Sequence, residues 1–219
     1  REEVKMTKTI VDIGCFNART LSLANKLLHR KKETWFGLMV EPNIHMKDDI
    51  FKSLKGTDFK YVHCAVSSTD GVGKLFMGKY GFFDRRSPAQ KEKCMRSSLV
   101  NDEKFVAQHL TDEYQEVPMK TLQTLLKENN INHIDILKVD TEGNDTIIFE
   151  SYDWSVIPVE IITEDHVAVR GKTTQSYWEE QEVSKNKKYD ILKNRGYVLI
   201  KQEDCNSYWA IQNGVYWKK

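Results

Sequence analysis

The chain has 219 residues, of which 40% are hydrophobic, 11% aromatic and 30% charged. That length suits one α/β domain burying about 70% of its unfolded surface, and the composition lies outside the range of disordered or membrane chains. With 33 Lys+Arg against 32 Asp+Glu the formal charge is +1, so no global field draws the protein to nucleic acid or acidic lipid, and a small or neutral substrate is the simpler expectation.

Residues 9–13 form a short β-branched run ending at Gly14, which predicts the first strand of a buried parallel sheet. Leu21, Ala24, Leu27 and Leu28 follow at helical spacing, closed by the basic residues 29–32 that suit a helix C-terminus. Residues 35–40 predict a second strand broken at Pro42, residues 43–54 a weak helix, and residues 59–66 a third strand. Strands alternating with helices predict a parallel sheet covered on both faces.

A short hairpin-like strand is expected at 71–76. Residues 77–116 then show little periodicity and carry Gly78, Gly81 and Pro88, which predicts a long loop. Tyr80, Phe82 and Phe83, with Arg85, Arg86, Lys91, Lys93 and Arg96, make this loop a candidate lid over an acceptor or a surface loop packed on its own aromatics. Leu122, Leu125 and Leu126 predict a short helix, residues 134–139 a fourth strand, Ile147 to Phe149 a helix face, and residues 159–163 a fifth strand. A polar helix at 177–195 and an antiparallel hairpin from 197–201 and 208–211 complete the chain.

Cys15, Cys64, Cys94 and Cys205 lack the short spacing of a zinc site and are expected as reduced thiols in a cytoplasmic protein. No stretch approaches the roughly 18 apolar residues of a membrane span. Residues 1–219 show no repeat or linker and are expected to form a single domain. Because the chain opens at Arg1, it reads as part of a longer protein, with fusion to other enzymatic domains as the expectation.

Ligands of an open parallel sheet bind beyond the carboxyl ends of the strands, where strand order reverses. Here those ends carry Asp12-Ile13-Gly14-Cys15, Glu41-Pro42-Asn43, Ala65-Val66-Ser67, Asp140-Thr141-Glu142-Gly143 and Glu164-Asp165-His166. Glu41, ending the second strand, is placed to accept hydrogen bonds from a ribose diol, as in both dinucleotide and adenosylmethionine sites. A pyrophosphate wants a G-x-G-x-x-G turn, whereas Gly14-Cys15-Phe16-Asn17-Ala18-Arg19 has one glycine, so a cofactor without phosphate is favoured.

Val11-Asp12-Ile13-Gly14-Cys15, Val40-Glu41-Pro42-Asn43, Val117-Pro118 leading to Thr121-Leu122 and Leu125-Leu126, Ser97-Ser98-Leu99, and Ile134-Asp135-Ile136-Leu137-Lys138-Val139-Asp140-Thr141-Glu142-Gly143 together resemble the FkbM-type methyltransferases. The resemblance spans about residues 9–164, and the Leu137 to Gly143 block is its most specific part. It implies a Rossmann-like class I methyltransferase fold with a seven-stranded, mostly parallel sheet, bound S-adenosyl-L-methionine, and methyl transfer to an oxygen, often a sugar hydroxyl. Where the family usually carries a second glycine in the first turn, Asn17-Ala18-Arg19 stands instead.

With that resemblance, the cofactor-binding candidates are Asp12, Gly14, Cys15, Asn17, Glu41, Pro42, Asn43, Ala65, Val66 and Ser98. Methyl transfer to a hydroxyl needs in-line alignment and removal of one proton. Asp140 is the first candidate for that base, or else a cap on the following turn; Glu142 and His166 come next, His166 having a structural alternative. A divalent cation on Asp140 with Glu164 or Asp165 is a less favoured alternative. The expected acceptor is a small molecule or glycan. Nucleic-acid or protein methylation, and a non-catalytic cofactor-binding module suggested by the altered turn, stand as the other readings.

Overall fold

The computed structural model describes residues 7–18, 34–78, 97–99, 110–165, 175–203 and 206–212. The predicted first helix, most of the candidate lid with its aromatic and basic residues, and His166 lie outside them.

Strands β1 (Thr7–Ile13) and β2 (Thr34–Val40) are followed by a 3₁₀ turn (Ile44–Met46), helix α1 (Lys47–Leu54), β3 (Phe59–Val62), β4 (Ala65–Val66), β5 (Gly71–Gly78) and β6 (Leu110–Lys120). Then come α2 (Leu122–Glu128), β7 (Ile136–Val139), α3 (Asp145–Ser151), β8 (Glu160–Glu164), α4 (Gln175–Asn194), β9 (Tyr197–Glu203) and β10 (Asn206–Ile211). Seven strands make one sheet in the order β3-β2-β1-β7-β8-β10-β9, all parallel except β10, which runs antiparallel to both neighbours. The expected seven-stranded sheet with its closing hairpin is therefore present, β10 inserting between β8 and β9.

The central strands are apolar at nearly every position because both faces are covered. Val11, Leu38, Leu137 and Ile161 face one core with Leu125 of α2, Phe149 of α3 and Leu192 of α4. Their sequence neighbours Ile10, Met39, Ile136 and Ile162 face the other, against Ile50 and Leu54 of α1. This is the two-residue period of a pleated strand, read on both sides. No described helix is long and apolar enough to cross a membrane.

Two sequence expectations need correction. The third strand does not run through 59–66: β3 ends at Val62, and Ala65 and Val66 pair instead with Met119 and Lys120. Pro42 ends β2 and lacks an N–H, so the ladder has no partner to continue and the chain passes to a second, three-stranded sheet in the order β4-β6-β5. Nor is 77–116 loop throughout, since β5 extends to Gly78 and β6 starts at Leu110. A run of polar residues and Pro118 hides that strand; Val117 on its inner face is buried with Leu75 and Ala65.

Candidate functional site

Strand order reverses between β1 and β7, so their carboxyl ends diverge into a crevice. Gly14 leaves β1 with φ 79°, and a Cβ placed there would stand 1.7 Å from the Asp140 carbonyl oxygen. Only glycine permits this approach, and it brings the first turn against the end of β7. The Gly14 and Cys15 amides both donate to the Val40 carbonyl, at 2.9 and 3.1 Å, which seats the turn on β2 as well. Phe16 and Ala18 then adopt left-handed backbone, φ 50° and 52°. The turn thus keeps a glycine-like path without the second glycine, at a cost of about 1–2 kcal/mol per residue.

Glu41 offsets part of that cost. Its two carboxylate oxygens accept from the Phe16 and Asn43 amides, each at 2.9 Å, tying the first turn to the end of β2. Burial pushes its carboxyl up to about 7 from the ordinary 4.5; the two amides pull it down, and the charges of Asp140 and Asp12 push it further up. Because this acid is raised, the fold is favoured by its protonation: that stability is fully present below 4.5 and is lost as pH rises through about 7.

Asp12 and Lys138 are register partners on β1 and β7. The Lys138 ammonium, 7% exposed, lies 3.6 Å from Asp12 Oδ1 and donates to Asp140 Oδ2 at 2.8 Å. Burial alone would lower its pKa, but the Asp140 and Asp12 carboxylates outweigh burial and hold it well above the usual lysine range. Lys138 is therefore a fixed cation that orients Asp140. The next turn is held from outside, because Ser98 bridges to Phe76 of β5 and its hydroxyl donates to the Glu142 carbonyl at 2.8 Å. Glu142 has φ 53°, a strained setting of the kind that clusters at functional turns. Asp140, Glu142 and Glu164 each bring a carboxylate oxygen within 4.8 Å of the others. Three such oxygens can share hydrogen-bond donors from one ligand or surround a hard divalent cation.

The resulting cleft has Gly14, Cys15, Glu41, Pro42, Ala65, Val66, Asp140 and Glu142 on its surface, eight of the residues singled out from sequence. Asp12, Asn17, Asn43 and Ser98 do not line it, and His166 lies outside the described residues. Asp12 is fully buried and acts on the site through Lys138. Asn17 meets α1, its carbonyl accepting from the Ser53 hydroxyl at 3.0 Å. Asn43 caps the 3₁₀ turn, its Oδ1 accepting from the His45 amide at 3.0 Å, and Ser98 supports the Glu142 turn beside lining residues Ser97 and Leu99. Of the two alternative partners for Asp140 around a cation, Glu164 lines the cleft; Asp165 is 7% exposed and turned to Lys188. Lys138 was not singled out, although one lysine in the apolar run Ile136-Leu137-Lys138-Val139 was a legible sign.

The model of the Methyltransferase FkbM domain matches residues 12–199. No curated protein matches. Among solved structures, the Methanococcus jannaschii fibrillarin pre-rRNA processing protein is similar at TM-score 0.44 and 10% identity, over 95% of this chain and 68% of that one. The 16S rRNA methylase ArmA follows at TM-score 0.38 and 7% identity, over 94% of this chain and 76% of that one. The family match covers most of the chain and includes the end of β1 with the first turn, Glu41 and the β7 block, and on it the chain belongs to the FkbM methyltransferase domain family.

Proposed function

We propose that this chain is an S-adenosyl-L-methionine-dependent O-methyltransferase acting on a hydroxyl of a sugar or glycan-type acceptor. The observation that carries the reading is the convergence of Glu41, Gly14 and Asp140 on one cleft at the strand-order reversal. The donor set fits the cofactor. Glu41 offers a carboxylate to vicinal ribose hydroxyls, Pro42, Ala65 and Val66 offer an apolar wall to a flat base, and the acidic cleft suits a cationic ligand. When bound, S-adenosyl-L-methionine supplies an electrophilic methyl on a sulfonium.

Asp140, held by Lys138, accepts the hydrogen bond of the acceptor hydroxyl and receives its proton. Glu142 and Glu164 accept from further hydroxyls and fix the ring. Lys138 is the one cation among the described lining residues, so a phosphate-rich acceptor would face carboxylates, which favours a neutral polyol over nucleic acid. The test is formation of S-adenosylhomocysteine with a panel of neutral glycans and with RNA. Product with neutral glycans, insensitive to salt, is expected; product with RNA alone, falling steeply with salt, would reject the acceptor class.

The converging Asp140, Glu142 and Glu164 favour one second reading, in which a divalent cation polarises the acceptor hydroxyl. Activity that survives exhaustive chelation retains the metal-free reading. Strict dependence on added magnesium or manganese replaces it.

Two outcomes follow from Glu41. Glu41→Ala is expected to weaken S-adenosyl-L-methionine binding by about 1.5–3 kcal/mol, because a charged partner of two hydroxyls is lost. Calorimetry on a folded variant reads this directly, and unchanged affinity would remove Glu41 from the ribose site. Since hydroxyls donate best to the ionised carboxylate, wild-type affinity should rise with pH through about 7, up to roughly tenfold between pH 6 and pH 8. A flat profile over that interval would contradict the placement.

A further inference from the structure

At the end of β8 lies a second buried lysine that the mechanism above does not use. Lys188, on α4, is 5% exposed. Its ammonium donates to the Glu164 carbonyl at 2.7 Å and lies 3.1 Å from Asp165 Oδ1 and 3.5 Å from Asp145 Oδ2. The other oxygen of each carboxylate is bonded elsewhere. Asp145 Oδ1 accepts from the Thr141 amide at 2.9 Å and from its hydroxyl at 2.5 Å. Asp165 Oδ2 accepts from the Tyr189 hydroxyl at 2.6 Å and from the Ser207 hydroxyl, and Gln202 donates to Tyr189 at 2.8 Å.

Thr141 sits between Asp140 and Glu142, and Asp165 follows Glu164. One ammonium thus links the strand end that carries two of the three cleft carboxylates to the strand end that carries the third. From these contacts we infer that Lys188 is a positioning residue: through Asp145 and the Glu164 carbonyl it fixes the spacing of the Thr141–Glu142 turn against the end of β8, and so the convergence of Asp140, Glu142 and Glu164. A buried ammonium between two carboxylates is a poor stability device, since apolar residues of similar volume often serve as well or better. What it supplies is directional: the β7–β8 ladder ends at Val139 and Thr163, and beyond it a hydrogen-bonded charge network defines one arrangement of the Thr141–Glu142 turn against the end of β8. Thr141, bonded twice to Asp145, transmits that arrangement to its neighbours.

The inference rests on the proposed acceptor site, and its test separates the two. Lys188→Met removes the ammonium; Asp145→Asn keeps an acceptor for Thr141 but turns an amide donor toward Lys188. In each, amide hydrogen exchange at Thr141 should accelerate at least about tenfold while core amides of β1 and β7 stay protected. The acceptor KM in the glycan assay should rise roughly 2- to 30-fold while S-adenosyl-L-methionine affinity by calorimetry stays near the wild-type value, and the double variant should lose little beyond either single one. If Lys188→Met lowered only the unfolding midpoint, leaving Thr141 exchange and acceptor KM at wild-type values, Lys188 would be a structural residue and the inference would be wrong. Should Lys188→Met not fold, Asp145→Asn carries the same readouts. A wild-type protein that bound no S-adenosyl-L-methionine would reject the proposed function, while Thr141 exchange would still decide the role of Lys188.

Discussion

Gly14→Ala is expected to cost at least about 4 kcal/mol of folding stability, enough to unfold much of the population of an ordinary domain. Two penalties combine. An L-residue at φ 79° carries the left-handed cost of about 1–2 kcal/mol, and the new methyl would overlap the Asp140 carbonyl oxygen at 1.7 Å. Neither side can yield cheaply, because the Asp140 amide is bonded to the Ile13 carbonyl at 3.0 Å, Ile13 ends β1 and Asp140 directly follows β7. Gly56 provides the comparison: it has the same φ of 79° with nothing within 4 Å of its Cβ position, so Gly56→Ala should show only the backbone penalty. Urea unfolding of both variants measures the difference. Equal midpoints would mean that β1 and β7 do not meet at Gly14 as described.

Asp140→Asn should reduce turnover by roughly 100- to 10,000-fold, the range of a positioned general base, while changing cofactor affinity much less. The substitution preserves size, and Lys138 keeps Asp12 as a counter-ion 3.6 Å away, so no buried cation is stranded. The fold should therefore survive. Steady-state and binding measurements with an acceptor found by the glycan panel would separate the effects. A large loss of affinity with turnover intact would move Asp140 from the acceptor to the cofactor.

Much of the sheet was legible in the sequence for a simple reason. β1, β2, β7 and β8 are buried on both faces, so burial writes itself as short apolar runs. β6 escaped because Asp112, Glu113, Tyr114 and Glu116 are exposed and only Leu110 and Val117 are buried, which leaves no alternating apolar pattern to read. The break after Val62 also escaped, since it depends on what β2 can still offer beyond Pro42 rather than on residues 63–66 themselves.

The cleft was legible where function follows from standing at a strand end, as for Gly14, Glu41 and Asp140. It was less so where burial decides the role. Asp12 and Asn43 carry functional side-chain types but serve as a counter-ion to Lys138 and a cap on the 3₁₀ turn. The network at Asp165 joins residues 24 and 42 positions apart, and no local pattern announces such partners. The left-handed Phe16 and Ala18 were not legible in the residue types of the first turn, whose backbone path is held by strain and by Glu41 rather than by a second glycine.

The most direct measurement is a calorimetric titration of the wild-type protein with S-adenosyl-L-methionine at pH 8, where Glu41 is ionised. One site per chain is expected, with a dissociation constant between about 1 µM and 1 mM, the range in which enzymes commonly hold their substrates. No saturable binding up to millimolar cofactor would contradict the assignment of the Gly14–Glu41–Asp140 cleft as a methyl-donor site.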